Sequence, residues 1–438
     1  MDDGAVQPTW PAPAWAPTPA PDPTPTGPRE AAAPVAEGER RVAVDALRAV
    51  ALLGIVVVNV AAYRRGVGPI LAAAGGDIGG DVSPLTVLLS ALTEGRFYPL
   101  FSFLFGWGFA VQDARSRARG RSVTGPWLRR CLVLLVLGLL HATFLFDGDI
   151  LVTYAVIGVA LLLVRRVPPG WLAGLGAAFV VLQSLFTTGL VALSASVTLS
   201  AESAGSIAEV RADERARLAT DAAVYGRGSF GDVIRLRTED LVFEEILGLL
   251  TVGGTVAGMM LLGMAAARVG WVDPRRWPAW LRSAMVPAWA IGLVLSIPAA
   301  WLSGSIALGT DLPGEAALRW LGYSLLGPAV ALGWAGVVLL AVRTPLGGRI
   351  LGAIAPAGRM SLTLYLSQSL VASFVFNGYG LGLGDDVGIG GAVALVAVFW
   401  AVQVGLAALW FRFFAIGPLE AVARTVAYLR WPGLRRQR

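Results

Sequence analysis

Lysine is absent from the 438-residue chain, histidine and cysteine occur once each, and only 15% of the residues are charged. Globular proteins carry roughly 25% charged residues, so an ordinary aqueous enzyme is excluded. All basic residues are arginine, which fits the codon bias of a G+C-rich genome, and the formal charge of +6 is scattered between apolar segments. Without a dense basic tract interleaved with aromatics, nucleic acid is not an expected partner. The lone Cys131 lies inside an apolar run, which excludes a disulfide scaffold and cysteine-ligated metal. His141, alone among imidazoles, gives no basis for a zinc centre, so no metal is expected.

What the chain has instead is hydrocarbon: 56% of it is hydrophobic. Apolar runs of about twenty residues recur along most of its length, as lipid solvation requires. The expected fold is all-α, a polytopic transmembrane helical bundle whose principal partner is the lipid bilayer. Spans are predicted near residues 44–62, 84–111, 128–146, 149–164, 171–194, 244–267, 280–302, 318–342, 359–378 and 390–413. Glu94, Gly95, Arg96 and Pro99 interrupt the second, which predicts a broken helix or a re-entrant piece, tolerated only beside protein or a water-filled cavity.

Residues 1–38 are rich in Pro, Ala and Thr and predict a disordered cytoplasmic tail; 39–430 form the membrane domain, and 431–438 a basic tail. The opening residues lack the pattern of a secretory signal, so the first span is expected to be retained. Arginines crowd the loops after spans two, four, six and eight, whereas the alternate loops hold Asp147 and Asp149, Asp311 and Glu315, and Asp385 and Asp386. By the positive-inside rule both termini are cytoplasmic, with Arg64 and Arg65 as the exception. The outer loop at about 195–243 carries an alternating-charge stretch, Glu209 to Asp221, that reads either as an amphipathic cap over the outer mouth or as a solvated surface helix. Trp271, Trp277 and Trp280 read as interfacial belt residues.

An ionisable group inside a span costs on the order of 2.5–3.5 kcal/mol and needs a partner or a purpose. On span one, Arg48 and Asn59 share a face, about 16 Å apart along the axis, and Asp45 sits one turn before Arg48 to pair with it. That pair serves equally to mark a helix end. On span three, Arg130 and His141 repeat the spacing, and Asp147-Gly148-Asp149 follows. One of those carboxylates is placed to orient the imidazole and raise its basicity, as a general base requires; a hydrogen-bonded structural histidine is the plainer alternative. On span nine, Arg359, Thr363 and Ser367 step along one face and Ser361, Tyr365 and Gln368 or Ser369 along another, which predicts a helix buried in the bundle. Helix-to-helix hydrogen bonding or substrate contact explains it.

Several strings form an ordered set: Val44 to Arg48 leading to Asn59, Phe97 to Phe109, His141 with Gly148 to Leu151 and Tyr154, Leu262 to Met264, Gly358 to Thr363 with Tyr365, Gln368 and Ser369, and Gly417 to Glu420. Together, over about residues 40–430, they resemble the YeiB-like family of bacterial multi-spanning membrane proteins, whose C-terminal half is a domain of unknown function. That family is more distantly similar to the transmembrane acyltransferase superfamily, which includes heparan-α-glucosaminide N-acetyltransferase and the acyltransferase-three O-acetyltransferases. Leu364, where asparagine is usual, and Ala421, where tryptophan is common, depart from the family pattern.

The resemblance implies a location in the bacterial cytoplasmic (inner) membrane, a cytosolic acyl-CoA donor with acetyl-CoA the simplest, and a hydroxyl or amine acceptor on a small molecule, glycan or lipid at the outer face. In the acyltransferase-three pattern an arginine is followed, after ten residues, by a histidine; here Arg48 is followed by Asn59, and His141 is the imidazole left to act. The expected site therefore has His141, Asp147 and Asp149 as catalytic groups. Asp45, Arg48, Asn59, Arg130, Arg359, Thr363, Tyr365 and Gln368 form its donor and substrate surface, converging on one cavity. A proton-coupled transporter of a small solute, with the same residues at midplane, is the second expectation. Homo-oligomerisation is compatible with either.

Overall fold

The computed structural model describes residues 42–65, 84–199, 204–271, 273–306, 313–384 and 386–435. The predicted N-terminal tail, Asp311 and Asp385 lie outside them. Fifteen α-helices run in chain order among the described residues: α1 Val42–Arg65, α2 Pro84–Thr93, α3 Phe97–Ala118, α4 Thr124–Phe144, α5 Leu151–Ala160, α6 Pro169–Leu199, α7 Ala204–Arg227, α8 Phe230–Glu239, α9 Leu241–Val269, α10 Ala279–Ile306, α11 Pro313–Ala341, α12 Pro345–Arg359, α13 Ser361–Phe376, α14 Ile389–Phe413 and α15 Pro418–Tyr428. The architecture is all-α, as the hydropathy pattern predicts.

Among the described residues, seven stretches are long and apolar enough to cross a bilayer: Val42–Val60, Thr124–Phe144, Pro169–Leu193, Leu241–Val269, Ala279–Pro298, Trp320–Ala341 and Ile389–Phe413. The other three expected spans fall on interrupted or shorter helices. The 84–111 segment breaks into α2 and α3 around Gly95, whose φ of 68° lies in the left-handed region that favours glycine. Arg96, fully buried beside the break, donates to the Glu94 carbonyl and so satisfies backbone that the break leaves open. The 149–164 and 359–378 segments contain the shorter apolar helices Leu151–Ala160 and Ser361–Phe376.

Leu182, Phe186 and Leu193 on α6 and Ile291 and Val294 on α10 are more than half exposed. Large apolar side chains left bare in rows are what a lipid-facing surface requires and what water would not tolerate. This is a polytopic membrane protein.

Small residues set the closest crossings, as expected where lipid supplies no hydrophobic drive between helices. Gly106 on α3 lies against the Met260 carbonyl of α9, and Gly263 on α9 against the Phe103 carbonyl of α3; a Cβ at either would overlap that backbone. The same holds for Gly358 on α12, which seats on the Asp45 carbonyl of α1. These seams bring α1, α3, α4, α9, α12 and α13 into one packed core that includes Leu52, Phe105, Phe109, Trp127, Met260, Ala357 and Tyr365.

The segment expected as the outer loop is helical over its described residues. Ser229 caps α8 by accepting from the Asp232 N–H while Asp232 accepts from the Ser229 N–H, a reciprocal box that starts the helix. Tyr225 and Arg237 of this segment are buried, and the Tyr225 carbonyl accepts from the Gly378 N–H, so α7 ends docked on the bundle rather than solvated throughout. Trp277 is buried, stacked on Trp271 and donating to that residue's carbonyl, whereas Trp280 is exposed.

Candidate functional site

The polar residues fall into two groups joined by one tyrosine. The first surrounds a cavity of about 270 Å³ at the arginine-rich end of the bundle. Five arginines line it, Arg48 from α1, Arg115 from α3, Arg130 from α4, Arg359 from α12 and Arg424 from α15, against two carboxylates, Asp45 and Glu420. Arg48 pairs with Asp45 at 3.1 Å, as the one-turn spacing predicts. Arg130 has no carboxylate within ion-pair distance among the described residues; its guanidinium lies over Phe105 and Trp127, 5.5 and 5.4 Å from the ring centroids. Arg359 stacks on Phe411 at 3.8 Å and donates to the Ala415 carbonyl. Aromatic faces help hold these cations in place, and five guanidinium groups against two carboxylates line the cavity. Deeper in, its wall turns apolar, with Leu52, Phe105, Leu134, Leu151, Tyr154 and Tyr365.

The second group is a buried chain of hydrogen bonds. Asp149 Oδ1 lies 2.8 Å from His141 Nδ1, and its Oδ2 accepts from the Val152 N–H at 2.9 Å. An ionised carboxylate only accepts, so this pairing places the imidazole proton on Nδ1 and leaves Nε2 a lone pair. Nε2 is 2.7 Å from Ser369 Oγ, which is 2.8 Å from the Tyr63 hydroxyl. Asn59 lies one turn before Tyr63 on α1, on the same side of the helix. His141 is 1% exposed and Ser369 fully buried. Gly138, one turn before His141, leaves the space that Asp149 occupies; a Cβ there would meet its Oδ2 at 2.8 Å.

Tyr365 connects the two groups. It lines the cavity on one side and packs against the His141 ring on the other, with centroids 5.0 Å apart.

Convergence is therefore partial. Asp45, Arg48, Arg130, Arg359 and Tyr365 share the cavity as expected. His141 and Asp149 do not line it; they sit behind Tyr365. Asn59 does not line it either. Asp147 is not a partner of His141: it accepts from the Tyr225 hydroxyl at 2.7 Å. Burial, with Asp147 beside it, pushes the Tyr225 hydroxyl well above the ordinary tyrosine value, so it stays a donor.

Gln368 faces away from the cavity and donates to Gln403 of α14 at 3.0 Å, an amide pair between helices. The expected face of Arg359, Thr363 and Ser367 is also broken. Met360, at φ −118° and ψ 42°, ends α12 and starts α13, so Arg359 belongs to a different helix from Thr363. Thr363 donates to Glu420 at 2.6 Å, and the Leu362 and Thr363 N–H groups donate to the same carboxylate. Glu420 thus caps α13 from α15. Burial nevertheless pushes its carboxyl above the ordinary value of 4.5 against the pull of those donors.

Ser369, Tyr63 and Glu420 were not among the expected site residues. Ser369 had a signal: it is one helical turn after Tyr365 on the same face. Tyr63 had none, because nothing local marks a tyrosine near the end of a span.

The fold and site define a polytopic α-helical membrane protein with a cationic cavity backed by a buried imidazole relay. Residues 266–430 match the family model described as a protein of unknown function, DUF418. The chain is 31% identical over 342 residues to the uncharacterized protein YxaH of Bacillus subtilis (strain 168), covering 76% of this chain and 79% of that one. It is 30% identical over 402 residues to the uncharacterized protein YeiB of Escherichia coli (strain K12), covering 87% and 94%. The chain belongs to the YeiB-like family. No solved structure matches it.

Proposed function

We propose that the protein is an integral-membrane acyltransferase of the bacterial cytoplasmic membrane, with both termini cytoplasmic. It takes an acyl group, acetyl in the simplest case, from cytosolic acyl-CoA and gives it to a hydroxyl or amine of a small molecule, glycan or lipid at the outer face. The observation that carries this reading is the succession from a five-arginine rim to an apolar depth to an oriented imidazole. Guanidinium groups suit the phosphates of a nucleotide thioester. The volume suits its slender thioester arm rather than the whole donor, so the nucleotide would rest at the rim among Arg115 and Arg424. His141, held by Asp149 in the Nδ1–H form, is the proton acceptor, and Tyr365 stands where the cavity meets it.

The test is release of free CoA thiol from acetyl-CoA by purified protein in detergent or nanodiscs, with candidate acceptors added to the outer face. Acetyl-CoA-dependent thiol release that Arg48→Ala and Arg130→Ala slow by raising KM is the expected result. Proton-gradient-driven solute uptake into vesicles, with no thiol release, overturns it in favour of a transporter.

A further inference from the structure

We infer that Ser369 is a nucleophile: the acyl group passes through a covalent ester on its Oγ before it reaches the acceptor. The inference rests on the acyltransferase reading for its donor, but on the side-chain geometry alone for the serine.

The geometry is directional. Asp149 Oδ2 is occupied by the Val152 N–H, so Oδ1 is left to receive the His141 Nδ1–H at 2.8 Å. In the neutral ring Nε2 then accepts, and the group 2.7 Å from it is the Ser369 hydroxyl. The Tyr365 carbonyl, the other acceptor facing Ser369 Oγ, is 3.5 Å away against 2.7 Å for Nε2; with the proton on the shorter path, Ser369 Oγ accepts in turn from the Tyr63 hydroxyl at 2.8 Å. Carboxylate, imidazole and hydroxyl thus stand in the order that activates a serine, on three separate parts of the chain, the α4–α5 turn, α4 and α13. Nothing about packing α13 against α4 requires that order; a serine bonded to any backbone carbonyl would satisfy it, as Ser373 does by donating to the Leu145 carbonyl.

The serine is also within a side chain's reach of the cavity. Tyr365 precedes it by one turn on α13, lines the cavity, and covers His141 with its ring. Rotation of Tyr365 away from the imidazole opens Ser369 and His141 to the apolar depth together.

The step balances without any added oxidant or metal. Ser369 Oγ attacks the thioester carbonyl carbon as its proton moves to His141 Nε2. The C–S bond breaks, and the departing thiolate takes that proton to leave as CoA thiol. In the second half the acceptor's hydroxyl or amine gives its proton to Nε2 and attacks the ester carbonyl. The C–Oγ bond breaks, and the imidazolium returns the proton to Ser369.

A fluorophosphonate reporter tests the serine independently of any donor, since it reacts with activated hydroxyls alone. Full-length protein in nanodiscs is treated with the reporter, digested and mapped by mass spectrometry. The expected result is a single adduct on Ser369, formed at least 100-fold more slowly in His141→Ala and at least tenfold more slowly in Asp149→Asn. Adduct on another residue, or equal rates in these variants, overturns the proposal.

Thiol release from acetyl-CoA is measured in parallel for wild type, Ser369→Ala and Ser369→Cys. Cysteine keeps the size and a nucleophilic atom, so the Cys variant decides the matter if the Ala variant does not purify as a monodisperse species. Loss of release in Ser369→Ala, with partial retention in Ser369→Cys, is expected; full release in the Ala variant, or none in a well-behaved Cys variant, overturns the nucleophile. Labelled Ser369 with no thiol release from wild type overturns the acyl-CoA donor while the activated serine stands.

Discussion

Tyr63 and His141 stand on different helices and meet at one hydroxyl: each is hydrogen-bonded to Ser369 Oγ, at 2.8 and 2.7 Å. Asn59, one turn before Tyr63, keeps this end of α1 polar while α4 delivers the imidazole from across the core.

The tautomer argument gives the first prediction. Asp149→Asn preserves shape but lets the amide donate, which turns the imidazole so that Nδ1 accepts and Nε2 carries the proton. Transfer activity should fall by roughly 10²–10⁴-fold, with donor KM little changed. A drop in KM-dependent binding with kcat intact, measured by steady-state kinetics, contradicts the role given to Asp149.

Arg130 gives the second. A cation held over Phe105 and Trp127 with no carboxylate within ion-pair distance among the described residues is costly to the fold and useful to an anion. Arg130→Met should raise the apparent melting temperature in detergent while weakening donor binding about tenfold, ~1.4 kcal/mol. Calorimetric titration at two salt concentrations checks it, because the wild type should lose more affinity with salt than the variant.

Gly358 gives the third. Its place on the Asp45 carbonyl leaves no room for a side chain, so Gly358→Val should separate α12 from α1 and destabilise by about 1–3 kcal/mol or more, as overpacking does. Because the same crossing sets Arg359 opposite Arg48, donor binding should fall as well. Tryptophan-fluorescence melts and detergent gel filtration report the first effect.

Glu420 gives the fourth, through pH. Its folded-state value is raised above 4.5 by burial, so the folded protein holds this proton more tightly than the unfolded chain. The resulting stabilisation is fully present below the unfolded value and is lost as pH rises through the folded one. Relative to Glu420→Gln, the wild type should melt progressively lower as pH rises from about 4.5 towards neutrality; a parallel course for the two proteins contradicts the raised value.

The sequence made the fold class legible because lipid imposes a coarse, local constraint: runs of apolar residues, with arginines at alternate loops. It also exposed the break at Glu94–Arg96 and the Asp45–Arg48 pair, both set by neighbours within a turn. What it could not resolve depended on side chains that meet across helices. Asp147 and Asp149 are equivalent by spacing from His141, and only the docking of α7 gives one of them to Tyr225. Gln368 looked like a cavity residue because its partner, Gln403, is on another helix. Arg359 and Thr363 looked like one face because no residue type at Met360 announces the helix break.

The cavity's rim is shared across a boundary that recognition by sequence draws elsewhere. The segment matching the family model begins at residue 266, inside α9, and contains Arg359 and Arg424. Arg48, Arg115 and Arg130 come from before it. The matched segment by itself is thus an open trough, and the helices before residue 266 supply the wall that closes it.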